Sequence, residues 1–410
     1  MIRSALILST AAALLSGCAS AKLGDRTVGQ TVERDETFTA RMVRTRKEAG
    51  AELALKESPA RITDPALETY VRDLTAKVSG EFADEVRPYI VRSASFNAFM
   101  LPNGAMGVNS GLLVRAETED ELALVLGHEF GHYLAQHSLE REIQQARGTN
   151  RTGAVGAVGV LAGAAAGVNL GLAPVALAMM AGDFSFSRSQ EKEADDIGLR
   201  QARATGYDPG TAIRLWKHID EEKSQSTLRK QKKNNAFTQL YASHPTSEAR
   251  LKRLKSDTGI GGDIPRASRE ARSAYRARIR PYLLAWLADD VARGDTGATL
   301  ALLDRLDDLG EDMGVLTYAR ARVIDSALTD PKLKGSDRVV ERVAEYSPET
   351  VIELLERART FPDAPATTDR DLAIKLLAAG RRPEAEVALA RYLATNPSDA
   401  GAVKARFGIT

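Results

Sequence analysis

Residues 118–140 read TEDELALVLGHEFGHYLAQHSLE, a pattern that predicts one long and largely buried helix. Thr118 and Glu121 match the capping-box pattern, and acidic side chains fill the first turn, where the helix dipole favours them. Beyond the cap, apolar residues recur at helical spacing. They are Leu122, Val125, Leu126 and Leu134. We expect this helix to begin after Thr118 and to run to about Glu140.

Two histidines lie four residues apart in the middle of this helix, in the order His128-Glu-Phe-Gly-His132. Residues at that spacing share one helical face, so both imidazoles can reach a single ion. Catalytic zinc takes three protein ligands and keeps one position open for water. Glu129 follows the first histidine and can accept the proton of that water as it attacks a carbonyl carbon. The pattern predicts one zinc ion (Zn2+) per chain and a hydrolytic reaction.

A third protein ligand is required, and the spacing of the remaining candidates restricts the choice. His137 lies nine residues after His128, about two and a half helical turns on, which places it on the wrong face. Glu191 and Asp195 lie four residues apart in a second predicted helix, residues 187–204. One of the two can bind the metal while the other orients a metal-binding histidine. Spacing alone leaves the choice between Glu191 and Asp195 open.

Three separated motifs resemble a known family when they are taken in chain order. They are His128–His132, Arg188-x-x-Glu191-x-Glu-Ala-Asp195, and Ser243-His244-Pro245 followed by Arg250. They resemble the zinc metallopeptidase family that includes the CaaX prenyl protease, the heat-shock membrane endopeptidase and the periplasmic β-barrel assembly-enhancing protease. The chain departs from the membrane members because it lacks the transmembrane helices around their site. Its secretion signal makes it most similar in type to the periplasmic member.

The resemblance implies a role for each matching residue. It implies that Glu191 is the third zinc ligand and that Asp195 hydrogen-bonds a zinc-binding histidine. It implies that His244 lies beside the metal, either as an oxyanion donor in catalysis or as a fourth ligand that closes the site at rest. Arg250 would support His244 or the substrate. The zincin-like peptidase domain expected from this resemblance occupies residues 61–258.

A β-hairpin is predicted between the first helices and the histidine motif. Residues 88–101 and 105–114 are apolar and strand-like, and Asn103-Gly104 between them is a strong short hairpin signal. Asn97, Ala98 and Phe99 resemble the substrate-binding edge strand of the family. Such a strand would hold an extended peptide through backbone hydrogen bonds. The fold class we expect is mainly α (α+β) with a small hairpin or sheet.

The N-terminus has the pattern of a lipoprotein signal peptide, residues 1–17. A short basic start and an apolar run of about ten residues precede Leu15-Ser16-Gly17-Cys18, which resembles the bacterial lipobox. Cys18 is the single cysteine of the chain, and we expect its sulfur to carry the lipid. Ala19 favours the outer membrane, with the protein facing the periplasm. Residues 18–60 then read as a tether followed by one helix.

Residues 153–182 carry no charge and are rich in glycine and alanine. A membrane span is disfavoured because the histidine motif and Glu191 flank this segment and are expected to converge on one ion. We favour a buried or flexible helical hairpin beside the active site. The alternatives are a lid that moves when substrate enters and a surface that touches lipid or a membrane-protein client.

A glycine-rich linker at residues 259–265 separates the peptidase domain from a helical region, residues 266–410. Residues 380–397 resemble the second half of a tetratricopeptide repeat. We therefore expect a tetratricopeptide-like helical domain. Its concave surface is a candidate binding site for a client or for an assembly machine.

The charge balance excludes a strongly basic surface for nucleic acid, since 56 Lys and Arg face 55 Asp and Glu. The function that the sequence predicts is a periplasmic zinc-dependent endopeptidase that cleaves misfolded or stalled envelope proteins. The alternative is a non-proteolytic chaperone or scaffold lipoprotein that assists outer-membrane protein assembly through its helical tail. A plain structural lipoprotein is a third interpretation.

Overall fold

The computed structural model describes residues 38–140, 186–208, 210–228, 248–259, 265–334 and 337–399. The region before the glycine-rich linker combines helices with one small sheet. Its elements are α1 (Phe38–Glu57), α2 (Pro65–Ser79), β1 (Arg87–Val91), β2 (Ala98–Met100), β3 (Ala105–Asn109), α3 (Ser110–Arg115), α4 (Glu119–Leu134), α5 (Arg188–Ala204), α6 (Thr211–Ser224) and α7 (Glu248–Thr258). The signal peptide with Cys18, the uncharged segment 153–182 and His244 lie outside the described residues.

The region after the linker is helical throughout its described part. Its helices are α8 (Arg269–Arg293), α9 (Thr296–Asp307), α10 (Met313–Thr329), α11 (Pro331–Lys334), α12 (Asp337–Arg342), α13 (Pro348–Ala358), α14 (Thr368–Ala378) and α15 (Arg382–Thr395). The expected mainly α fold with a small sheet is confirmed. The tetratricopeptide interpretation of residues 266–410 stays a prediction.

Side-chain caps fix where the helices of the site begin. The Thr118 hydroxyl accepts a hydrogen bond from the Glu121 amide at 3.3 Å, as the sequence predicts for the start of α4. The Glu121 carboxylate reaches back to the Glu117 amide at 2.7 Å. Ser187 and Gln190 form a complete capping box at the start of α5. Helices α4 and α5 therefore have defined first turns, which sets the register of the side chains further along them.

The predicted hairpin is present, but residues 88–101 do not form one continuous strand. Strands β2 and β3 pair antiparallel around Asn103-Gly104, whereas β1 pairs parallel to the other edge of β3, giving the order β1-β3-β2. The chain must cross from one edge of β3 to the other, so it leaves the sheet between Val91 and Ala98. Gly104 has a φ of +88°, and a Cβ there would lie 2.2 Å from the Glu85 carbonyl oxygen.

The second predicted strand, residues 105–114, is also shorter than expected. It ends at Asn109, and Ser110–Arg115 are helical. Every residue of this stretch is buried, so no alternation of apolar and polar positions distinguishes strand from helix. The helical turn places Gly111 against the backbone of Ala94 and Ser95, where a Cβ would lie 2.4 Å from the Ser95 carbonyl oxygen.

Helix α4 ends at Leu134 rather than near Glu140, which corrects the predicted length. Gln136 has a φ of +59°, a left-handed conformation that ends the helix. Residues 137–140 then resume helical geometry. His137 follows this interruption directly and contacts His132 of α4.

One hydrophobic cluster extends from the sheet through α4 to the helices after the linker. It includes Leu126 and Phe130 of α4, Leu283 and Trp286 of α8, and Leu303 of α9. The helices before and after the linker are therefore packed together within residues 44–410, which cluster as one unit. In the described part of the chain, no helix is both long enough and apolar enough to cross a bilayer.

Candidate metal centre

Glycines allow α4 and α5 to approach closely. A Cβ on Gly131 would lie 2.7 Å from the Ala194 carbonyl oxygen, and a Cβ on Gly198 would lie 3.0 Å from the His128 amide nitrogen. Gly127 faces Gly198 across the same crossing. Because no side chain separates the two backbones here, the histidines of α4 and the carboxylates of α5 can reach the same point.

Three buried side chains converge where these helices meet. The Nε2 atoms of His128 and His132 lie 3.1 Å apart. The Glu191 carboxylate lies 3.6 Å from His128 Nε2 and 3.5 Å from His132 Nε2. Within the described residues these three side chains form a group that can hold a metal ion. The sequence left open whether Glu191 or Asp195 is the third ligand, and the structure places Glu191 beside both Nε2 atoms.

The size of this triangle fits zinc. Zinc binds imidazole nitrogen and carboxylate oxygen at roughly 2.0–2.1 Å in tetrahedral geometry, so two of its ligand atoms lie about 3.3 Å apart. The two Nε2 atoms lie 3.1 Å apart, and one Glu191 oxygen lies 3.5 Å from His132 Nε2 while the other lies 3.6 Å from His128 Nε2, so all three separations are near that value. Two imidazoles and one carboxylate also form the donor set of a catalytic zinc site with one open position.

Asp195 holds His128 from the side away from the triangle. Its carboxylate lies 3.1 Å from His128 Nδ1, so a proton on Nδ1 leaves the Nε2 lone pair facing the metal position. Arg253 of α7 in turn donates to Asp195 at 2.6 Å. The sequence reasoning missed Arg253. The side chain of Arg250, which the family resemblance singles out, lies outside the described residues, as does His244.

The structure gives His137 a contact that the sequence did not predict. His137 Nδ1 lies 2.9 Å from His132 Nδ1, and its Nε2 lies 3.2 Å from a Glu193 oxygen. His137 is therefore not one of the three converging ligands, as its spacing predicts, but it contacts one of them. Phe186 stacks on the His132 ring with centroids 3.8 Å apart. This contact depends on the end of α4 at Gln136, for which the sequence carries no local signal.

Glu129 is 1% exposed and lies next to the first metal-binding histidine in α4. It lines a cavity together with His128 and Asp195. The rest of that cavity is apolar, with Leu215, Trp216 and Leu254 among its walls. A carboxylate in such a setting can exchange a proton with a group in the cavity.

The residues predicted to bind substrate lie at an edge of the sheet. Ala98 and Phe99 belong to β2, which pairs with β3 on one side only in the described sheet, and β2 packs beside α4. Asn97 precedes β2 and is 1% exposed. Neither the nitrogen nor the oxygen of its side-chain amide has a hydrogen-bond partner among the described residues. Buried amides are normally satisfied, so the Asn97 side chain has unused hydrogen-bonding capacity within the described residues.

A second acidic cluster, formed by Glu117, Glu121 and His218, does not have the surroundings of a metal site. Arg305 lies 3.4 Å from Glu117, and Arg214 lies 3.8 Å from Glu121. Nearby arginines and burial lower the pKa of His218 to about 3. Guanidinium groups already balance these carboxylates, so a further cation would be repelled.

A buried ion-pair network joins the region before the linker to the helices after it. Arg115 is fully buried and pairs with Asp290 of α8 at 2.7 Å and with Glu222 of α6 at 2.7 Å. The Arg305 guanidinium of α9 lies 3.7 Å from Glu222. Buried ions must be paired because their desolvation is unfavourable. The C-terminal helices therefore complete the charge balance of the region that carries the metal centre.

Comparison with known proteins places the metal centre within a recognised domain. Residues 62–258 match the model of Peptidase family M48. The chain is 30% identical over 167 residues to the putative beta-barrel assembly-enhancing protease of Vibrio cholerae, covering 39% of this chain and 34% of that protein. It is 33% identical over 171 residues to the mitochondrial metalloendopeptidase OMA1 of Schizosaccharomyces pombe, covering 41% and 45%.

The beta-barrel assembly-enhancing protease of Escherichia coli is 27% identical over 204 residues, which is 48% of this chain and 40% of that protein. The chain therefore spans less than half the length of each of these relatives. The matched residues include both helices of the metal centre. Residues 62–258 thus match peptidase family M48, a family of HExxH metallopeptidases.

Proposed function

We propose that this chain is a zinc-dependent endopeptidase. The observation that carries the proposal is the convergence of His128 Nε2, His132 Nε2 and the two Glu191 carboxylate oxygens, with separations of 3.1 to 3.6 Å. The buried Glu129 follows His128 directly in α4. The match of residues 62–258 to family M48 supports the same reaction class. The residues that hold the metal and the residue that moves the proton thus lie on one helix crossing.

Zinc bound here would polarise the scissile carbonyl and lower the pKa of the attacking water. The Glu129 carboxylate accepts a proton from that water as the water oxygen attacks the carbonyl carbon. The same carboxyl then gives the proton to the amide nitrogen as the carbon–nitrogen bond breaks. Asp195 keeps the His128 proton on Nδ1, so the Nε2 lone pair stays directed at the metal position.

Protein or peptide substrates would bind as an added strand along β2. Strand β2 pairs with β3 on one side only in the described sheet and packs against α4, which carries the reacting groups. Backbone hydrogen bonds hold an extended peptide in this arrangement, while its side chains alternate between pockets and solvent. The Asn97 amide, which is buried and has no partner among the described residues, is suited to bind a peptide group of the substrate.

The cellular role we propose is quality control of misfolded or stalled envelope proteins. The lipobox-like segment ending at Cys18 supports an outer-membrane lipoprotein that faces the periplasm. Two relatives named beta-barrel assembly-enhancing protease support a link to outer-membrane assembly. The helices of residues 266–410 are the candidate surface for an assembly partner. His244, by the family resemblance, is a candidate oxyanion donor or fourth zinc ligand.

The Glu129→Gln variant tests the proposed reaction. We expect the full chain to degrade labelled casein, and we expect Glu129→Gln to lose roughly 100- to 10,000-fold in turnover while it keeps its zinc. The matched control is Glu221→Gln, which makes the same change at a side chain that is 62% exposed on α6. Undiminished cleavage by Glu129→Gln would exclude this carboxylate as the base, and loss of cleavage in both variants would point to a nonspecific effect.

A further inference from the structure

The left-handed turn at Gln136 places a third histidine behind the metal-binding pair. His137 is fully buried, and its Nδ1 lies 2.9 Å from Nδ1 of His132. On its other side, His137 Nε2 lies 3.2 Å from an oxygen of Glu193, which belongs to α5. The side chains thus form a chain of contacts, Glu193 to His137 to His132, that ends at the metal position.

This chain of contacts has a definite direction because its ends differ chemically. A carboxylate only accepts hydrogen bonds, so His137 donates to Glu193 from Nε2 and keeps a lone pair on Nδ1. His132 must then donate to that lone pair from its own Nδ1. With its proton on Nδ1, His132 keeps its Nε2 lone pair free for a metal. The reverse direction would place a proton on His132 Nε2, in the middle of the ligand triangle.

Different contacts therefore orient the two metal-binding histidines. His128 contacts the Asp195 carboxylate directly at 3.1 Å, whereas His132 contacts a carboxylate through an intervening imidazole. Phe186 stacks on the His132 ring and is itself buried. His132 is 1% exposed and His137 is 0% exposed, so bulk water does not compete for the Nδ1 proton of His132.

We propose that His137 and Glu193 are positioning residues that fix the tautomer and ring orientation of His132 for metal binding. The inference rests on the proposed zinc site but goes beyond its ligand set. Outer partners of metal-binding histidines typically change metal affinity by about 10- to 100-fold when they are removed. Glu193→Gln keeps the shape of the side chain, but its amide nitrogen can donate to His137. The direction of the hydrogen bonds from His132 through His137 is then no longer fixed.

The test is the zinc dissociation constant of the full chain, measured by competition with a chelator of known affinity. We expect Glu193→Gln and His137→Leu to weaken zinc binding by about 10- to 100-fold. His137→Gln offers an oxygen to the His132 Nδ1 proton and should restore most of the affinity, which a merely structural role would not predict. Absorption spectra of the cobalt-loaded variants report the ligand geometry independently of activity. Glu221→Gln is the matched control.

Two results would overturn the inference, and they are distinguishable. If Glu193→Gln binds zinc as tightly as Glu221→Gln, while Glu191→Gln loses it, the positioning role is wrong and the zinc site stands. If the unmodified chain binds no zinc, the proposed function and this inference fail together. The Glu193 side chain is 26% exposed, so its conservative variant should fold and give an answer even if His137→Leu does not.

Discussion

Gly131 and Ala194 are in backbone contact across the two helices of the metal centre. A Cβ on Gly131 would lie 2.7 Å from the carbonyl oxygen of Ala194, closer than real Cβ contacts come. The obstacle is backbone, so the helices themselves would have to move apart. The distance between His132 and Glu191 therefore depends on the absence of a side chain at a position one residue before His132.

Gly131→Ala should both destabilise the protein and weaken metal binding. Overpacking at a rigid contact lowers the free energy of unfolding by about 1 to 3 kcal/mol. Urea unfolding and zinc content measure the two effects. The control is Gly50→Ala in α1, where a Cβ meets nothing within 4 Å, so alanine should be neutral or slightly stabilising. Equal stability and zinc content in both variants would contradict the close-contact explanation.

Asp290→Ala should destabilise the peptidase region although Asp290 lies beyond the linker. The change removes one of the two carboxylates that pair with the buried Arg115 guanidinium at 2.7 Å, and breaking a buried ion pair lowers the free energy of unfolding by about 3 to 5 kcal/mol. Urea unfolding measures it. Asp289→Ala is a neighbouring control, because Asp289 pairs with Arg92 near the surface and its removal should change stability by about 1 kcal/mol or less.

A small effect of Asp290→Ala, similar to that of Asp289→Ala, would show that the network does not join the two regions energetically. If Asp290→Ala does destabilise the protein strongly, deleting residues 266–410 is a poor test of whether the chain acts as a non-proteolytic scaffold. The deletion would also remove Asp290 and the core residues of α8 and α9, so the peptidase region would lose stability as well as a binding surface.

The stability of the chain should depend on pH through Glu121. Burial raises the pKa of this carboxyl from 4.5 to about 7, although the Glu117 amide and the Arg214 guanidinium oppose the rise. The folded state then binds more protons than the unfolded state between these two values, so the free energy of unfolding falls as pH rises from about 4.5 to about 7. The loss over this range is about 3 kcal/mol.

Glu121→Gln isolates this contribution because glutamine does not titrate. The stability of the variant relative to the unmodified protein should increase with pH through that window and be constant below it. Urea unfolding at several pH values checks this. Two parallel curves, with a difference independent of pH, would mean that Glu121 titrates at its ordinary value.

Asn97→Ala should reduce proteolysis without reducing stability. The amide of Asn97 forms no hydrogen bond with the described residues, so its removal breaks none there. If the amide binds a substrate peptide group, its loss should lower kcat/KM by about tenfold, which corresponds to one hydrogen bond. Casein cleavage and thermal unfolding are measured together. A drop in stability with unchanged kcat/KM would assign Asn97 a structural role instead.

Short-range patterns in the sequence predicted the metal centre better than they predicted chain reversals. His128 and His132 share a helical face whatever surrounds them, and the Thr118 cap depends on residues three apart. Helix α4 ends because Gln136 has a left-handed φ, which glutamine rarely adopts. Neither this turn nor the His137 contact could therefore be predicted from the sequence. Asn103-Gly104 predicted the hairpin, but nothing local indicates that β1 lies on the far edge of β3.

Long-range charge pairing was also beyond local reasoning. Arg115 contacts Asp290 across 175 positions of sequence, and Arg253 contacts Asp195 across 58. Arg253 lies in a strongly charged stretch, where spacing does not single out one residue, and Arg115 follows an apolar run that gives no indication of its partner. Such pairs are set by how the helices pack, which depends on the whole core.

The zinc content of the full chain beside that of Glu191→Gln tests the central claim most directly. Elemental analysis should find one zinc per chain in the unmodified protein and clear loss in the variant, since the variant removes the one charged member of the triangle. Glu221→Gln, treated identically, should keep its zinc. Full zinc in Glu191→Gln would contradict the ligand set, and no zinc in the unmodified protein would contradict the metal centre itself.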